Sequence, residues 1–170
     1  LQYARQINFV PVQIFALVYL ARTYLECGDT DRGIAAAQDA YTVAKPAFPR
    51  WIVGMGAYAI AYAAIGDSAN AKKVIAEAKL NSGYQSQALF SIWVMEAEAS
   101  VLLQEGDAQS ASVVLDALLS MLERFDGLAY IPAALLLQGQ AFLEQIIWVS
   151  KSIMHLLNAT LTGRLQLMLL

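Results

Sequence analysis

A Gly-Asp pair recurs along the chain at near-even intervals. It reads Cys27-Gly28-Asp29, Ile65-Gly66-Asp67 and Glu105-Gly106-Asp107, with the glycines 38 and then 40 residues apart. Residue size repeats around each pair. Seven before the glycine stand Ala21, Ala59 and Ala99, and four before it Tyr24, Tyr62 and Leu102. Five after it come Gly33, Ala71 and Ala111, and seven further on Ala40, Ala78 and Leu118. Glycine adopts φ > 0 without steric cost, so it closes one helix. Asp, or the Thr30 and Ser68 that follow it in two copies, caps the next helix and suits its N-terminal dipole. Small residues let the two helices approach closely. A single helix pair cannot bury both faces, and stacking the pairs builds one core.

The breakers divide the chain at the same places. Pro11, Pro46, Pro49 and Pro132 fall near expected helix starts or links, where a missing N–H does no harm. Gly83 and Gly127 fall between pairs. Helices are expected at about 12–27, 30–45, 50–65, 68–82, 87–105, 108–124 and 128–145, and no stretch alternates like a strand. The fold expected is all-α, an α-solenoid of antiparallel helix pairs. Its repeats are at 12–45, 50–82 and 87–124, with a partial one at 128–145.

A further step of 40 from Gly106 reaches Ile146, where Gly139 and Phe142 still fit but the turn glycine is missing. Residues 146–170 form an apolar tail without acidic residues, either a divergent terminal helix or the product of a truncated or shifted reading frame. Lys151, His155, Asn158 and Arg164 interrupt it, against a membrane span. With 58% of residues apolar and 15% charged, a disordered chain is excluded. Its 11 Lys+Arg are scattered among 14 Asp+Glu, which argues against a nucleic-acid surface. One cysteine and no Cys/His cluster leave no internal disulfide or structural metal to expect. No leader pattern opens the sequence, and Leu1 in place of Met reads as a segment of a longer protein. A reducing, cytoplasmic location is expected, with no cofactor.

Leu20-Ala21-x-x-Tyr24-x-x-x-Gly28 with Gly33 and Ala40 resembles a tetratricopeptide repeat, as does Tyr58-Ala59-x-x-Tyr62-x-x-x-Gly66 with Ala71 and Ala78. Glu98-Ala99-x-x-Leu102-x-x-x-Gly106 with Ala111 is a weaker copy. The long period is similar to that of large bacterial signalling ATPases, including maltose-activator-like regulators. Phe15-Ala16-Leu17, Phe48-Pro49-Arg50-Trp51 and Leu137-Gln138-Gly139-Gln140-Ala141-Phe142 look like the carboxy-terminal repeats of adenylate/guanylate cyclase-like ATPases. The resemblance covers about residues 4–145. It implies a right-handed superhelix serving as the sensory or scaffolding end of a multidomain protein. That family's nucleotide-handling residues lie upstream of such repeats, so none is carried over.

Chemistry within the chain itself finds few candidates. Gly54-Met55-Gly56-Ala57-Tyr58-Ala59 satisfies a dinucleotide-binding pattern, but that pattern needs a preceding strand. Its glycines fall inside an expected helix and are read as close helix contacts. Asp29-Thr30-Asp31 is read as capping, and Cys27 as a partly buried apolar residue, since a helix C-terminus does not activate a thiol. His155, the single histidine, has no expected nucleophilic partner. Asn158-Ala159-Thr160 fits a glycosylation sequon that carries weight only with secretion. Glu96 and Glu98 are two apart, so they point to different sides of a helix, and catalysis is not expected.

The remaining candidate is a surface. In superhelical repeats the first helix of each pair lines the concave wall. Here that wall draws on Phe15, Arg22 and Glu26, then Ile60 and Ala64, then Trp93, Glu96, Ser100 and Gln104, and finally Leu136, Gln140 and Glu144. Such a wall accepts a partner helix or extended peptide. Trp93 is either its anchor or part of the core, and the polar residues either contacts or a solvated face. The partner is a protein, a peptide or another domain of the parent. The alternative is a sensor that binds a small inducer in the solenoid cavity. Self-association through uncapped ends is also expected.

Overall fold

The computed structural model describes residues 9–86, 88–124 and 131–168. All regular structure among them is helical: α1 Val10–Glu26, α2 Thr30–Ala47, α3 Val53–Ala64, α4 Ser68–Leu80, α5 Ser82–Ser86, α6 Ala88–Gln104, α7 Ala108–Arg124 and α8 Ile131–Met168. Three Gly-Asp turns join α1 to α2, α3 to α4 and α6 to α7.

The turns share one set of bonds. Each glycine has a positive φ of 77–78°. The N–H of Gly28, Gly66 and Gly106 donates to Leu25, Ala63 and Leu103, and the following aspartate N–H donates to Tyr24, Tyr62 and Leu102. This is a Schellman closure, which satisfies carbonyls that the helix end would strand. The same aspartate then caps the next helix, its carboxylate accepting from the N–H of Arg32, Asn70 or Ser110. Side-chain donors on Arg32, Asn70 and Ser110 are the main cause holding the three carboxyls below their ordinary range. A Cβ on any of the three glycines would meet nothing within 4 Å, so the demand for glycine is conformational. Gly66→Ala is therefore expected to cost about 1 kcal/mol in chemical denaturation, and Gly66→Asn, which tolerates that φ better, less.

The repeated small positions are where the helices meet. Ala59, Ala71, Ala78, Ala99 and Ala111 are fully buried, and Ala21 nearly so. A Cβ on Gly33 would strike the Leu25 side chain at 2.7 Å. Neighbours in the chain pack as hairpins, and the first helices also touch in order, α1 on α3, α3 on α6 and α6 on α8. Among the described residues the largest of three apolar clusters runs through them, from Ile14 and Val18 by way of Val53, Ile92 and Leu115 to Ala141.

Between pairs, the segments around residues 50 and 81–83 hold each other. Asn81 donates its side-chain amide to the Pro49 carbonyl at 2.7 Å, while its Oδ1 accepts from the N–H of Gly83 at 2.8 Å. Any Cβ on Gly83 would fall 1.8 Å from the Arg50 carbonyl oxygen. Gly127, the other expected link, lies outside the described residues.

Three expectations are corrected. Pro46 sits inside the last turn of α2, tolerated on its exposed side, and α3 starts at Val53 after a turn closed by Trp51 N–H on Phe48. Cys27 is exposed, because the residue before the turn glycine caps α1 at the hairpin tip. The helix expected over 128–145 runs on as α8 to Met168, since without a Gly-Asp pair at 146 nothing stops it. Among the described residues, no helix is long and apolar enough to cross a membrane.

Candidate functional site

Residues of α1 and α6 expected to line a wall close on one another across α3. Helix α3 lies between α1 and α6 and carries small residues on both flanks. Gly54 sits against the α2 backbone, where a Cβ would be 3.0 Å from the Ala40 carbonyl oxygen. Gly56 sits against α6, where a Cβ would be 2.4 Å from that of Trp93. These are the glycines of the apparent dinucleotide pattern, and close helix contact is what they provide. With α3 this slim, side chains of α1 and α6 meet across it.

Three pairs form that bridge. Phe15 packs on Phe90, ring centroids 5.9 Å apart, and both touch Trp51, which stacks on Phe48. Tyr19 meets Trp93 edge-on at 6.0 Å. Arg22 donates both terminal nitrogens to the Glu96 carboxylate at 3.1 and 3.2 Å, its Nε to Glu26 at 2.9 Å, and lies 5.4 Å from the Trp93 ring centre. Glu96 retains 14% side-chain exposure and Arg22 23%. Burial pushes the Glu96 carboxyl above its ordinary range; the Arg22 charge pulls it partly back, and nearby Glu26 adds to the rise. A forked guanidinium–carboxylate pair with little solvent resists separation, because breaking it strands a charge.

Of the two readings left open for Trp93, its burial favours the core. It keeps 4% exposure, covered by Tyr19 and Arg22, and belongs to the core. Gln104 donates to the Ala63 carbonyl at 2.6 Å, supplying a partner at the end of α3, and accepts from Ser68. Ser100 is bonded to the Glu96 carbonyl of its own helix. Glu26, Ala64, Gln104, Leu136, Gln140 and Glu144 are exposed, and Ile60 is half-buried. Glu96 and Glu98 do lie on different flanks of α6, since Glu98 pairs with Lys79 of α4.

Among the rings that meet across α3, the exposed one is Tyr19, at 51%. Sequence reasoning passed over it, although Phe15, Tyr19, Arg22 and Glu26 share one helical stripe. Phe90 was missed in the same way, three residues before Trp93. Side by side, the stripes would have suggested pairing across the wall. Elsewhere, a recess of about 460 Å³ lies between the start of α7 and Glu144, Trp148 and Lys151 of α8. His155 is exposed on α8, and the side chains of Asn158 and Thr160 lie outside the described residues.

No family model, curated protein or solved structure matches this chain.

Proposed function

We propose that the chain is a tetratricopeptide-like, right-handed α-solenoid that binds a protein or peptide partner, as the scaffold segment of a larger bacterial signalling protein in the cytoplasm. The observation that carries this reading is the threefold recurrence of one turn, with the same bonds and the same cap, joining hairpins whose first helices touch in chain order. Repeats of that kind present a continuous wall of first helices. The bridge across α3 ties α1 to α6, which supports a surface that needs little reordering on binding. Tyr19, over Trp93 and beside the Arg22–Glu26 pair, offers an aromatic face with charge around it, the composition of an interface hot spot.

Selection of peptides from a random library against the chain tests the reading. Enriched peptides are expected to bind saturably and to lose about tenfold in affinity on Tyr19→Asp, as expected of a hot-spot residue. Leu80→Asp, on the outer side of α4 at 89% exposure, should leave binding unchanged. Absence of any saturable peptide, or indifference to Tyr19→Asp, contradicts it. A saturable change in tryptophan fluorescence with a small metabolite, in place of peptide binding, favours the inducer-sensing alternative.

A further inference from the structure

Helix α8 has one side committed to the body of the protein. Ala134 and Ala141 are buried, Gln138 donates to Asp116 at 2.6 Å, and Gln145 donates to the Ala108 carbonyl at 3.3 Å. Ala108 is the first residue of α7 and Lys151 still borders the recess at its start, so the helix beyond Lys151 continues past the end of its neighbour for roughly 25 Å at 1.5 Å per residue.

A different side carries an uncovered apolar seam. Leu135, Phe142, Ile146, Val149 and Ile153 are 51%, 50%, 63%, 48% and 52% exposed. With Gly139, their spacing alternates four and three residues, the 3.5-residue period of helices that pack along a shared seam. Leu136, Leu143 and Met154 flank it, also exposed. Between Leu135 and Ile153 the charged residues are Glu144 and Lys151, and helical spacing puts both well away from the seam. Gly139 is itself informative. A mid-helix glycine is about 1 kcal/mol less favourable than alanine, and a Cβ there would meet nothing within 4 Å in this chain. A second helix passing close to it gives that glycine a purpose.

We propose that a second copy of the chain covers this face, the two α8 seams packing on each other about a twofold axis. Area argues for a copy of the chain itself. The eight side chains present on the order of 800 Å² of apolar surface, which matches the about 800 Å² that each partner contributes to a stable interface. It also exceeds the about 300–600 Å² of the largest patch on an ordinary monomer. An apolar seam with no charge on it is self-complementary, as a twofold contact requires. The dimer uses α8, separate from Tyr19 on α1, so it stands or falls independently of the peptide-binding reading.

Sedimentation velocity on the full chain over a concentration series tests it. A dimer is expected at micromolar concentration. Ile146→Asp/Ile153→Asp should raise the dissociation constant at least about 100-fold, the scale of two hot-spot losses. Both side chains are exposed, so far-ultraviolet circular dichroism and the thermal midpoint should report an intact body. Val113→Asp, exposed on α7 at 61%, is the control and should dimerise as the original chain does. A chain that stays monomeric at about 100 μM, where a standard interface is occupied, overturns the proposal. So does association that survives the double substitution, which places the contact elsewhere, or association lost equally in Val113→Asp.

Discussion

Trp93→Ala is expected to lower the unfolding free energy by about 3–5 kcal/mol, the range for removing a large aromatic from a packed core. The ring keeps 4% exposure, its Cβ is held against Gly56, and Tyr19 and Arg22 rest on it. The cavity opens where the first and third hairpins meet, so the loss is felt on both sides of α3. Chemical denaturation followed by circular dichroism measures it. A loss under about 1 kcal/mol, the size of a surface change, would mean the ring is not core. Trp93→Phe fills part of the space and should recover much of the loss.

The second large effect belongs to Arg22. Arg22→Met keeps much of the side-chain volume but leaves the Glu96 carboxylate without its counter-charge at 14% exposure, expected to cost about 3 kcal/mol near neutral pH. The pH dependence has a definite sign. Glu96 already titrates above its ordinary range because it is buried, and losing Arg22 raises it further. An acid with a raised folded pKa binds its proton more tightly in the native state. The stability it contributes is then present below the unfolded carboxyl pKa and is lost as pH rises through the folded one. The gap between variant and original should narrow as pH falls towards about 4, where an unfolded glutamate protonates. Arg22→Met/Glu96→Leu removes both charges and should recover most of the loss. A deficit that stays constant with pH would show that the guanidinium contributes by packing alone.

The turns were legible in the sequence because each is local. Gly28, Gly66 and Gly106 need one conformation, Asp29, Asp67 and Asp107 supply one cap, and neither requires knowledge of the rest of the chain. The small-residue positions were legible for a related reason, since Ala21 and Gly33 mark the contact within a single hairpin. The bridge was not. It depends on how narrow α3 is at Gly56 and Ala57, which decides whether residues 74 apart, such as Arg22 and Glu96, are neighbours or opposite walls of an open groove. Trp93 was readable as anchor or core until that distance was known. The run of α8 past Gln145 was legible only as a missing stop signal, and sequence left the segment open between a divergent terminal helix and a shifted reading frame. Cys27 shows the limit of composition, because its place at a hairpin tip, not its apolar character, sets its exposure.

The first and third hairpins meet across α3. Aromatic nuclear Overhauser effects measure that contact directly. Cross-peaks between the Tyr19 and Trp93 rings, and between Phe15 and Phe90, are expected, because ring centroids 6.0 and 5.9 Å apart bring edge protons within range. A folded, helical chain that lacks both sets of cross-peaks would contradict it.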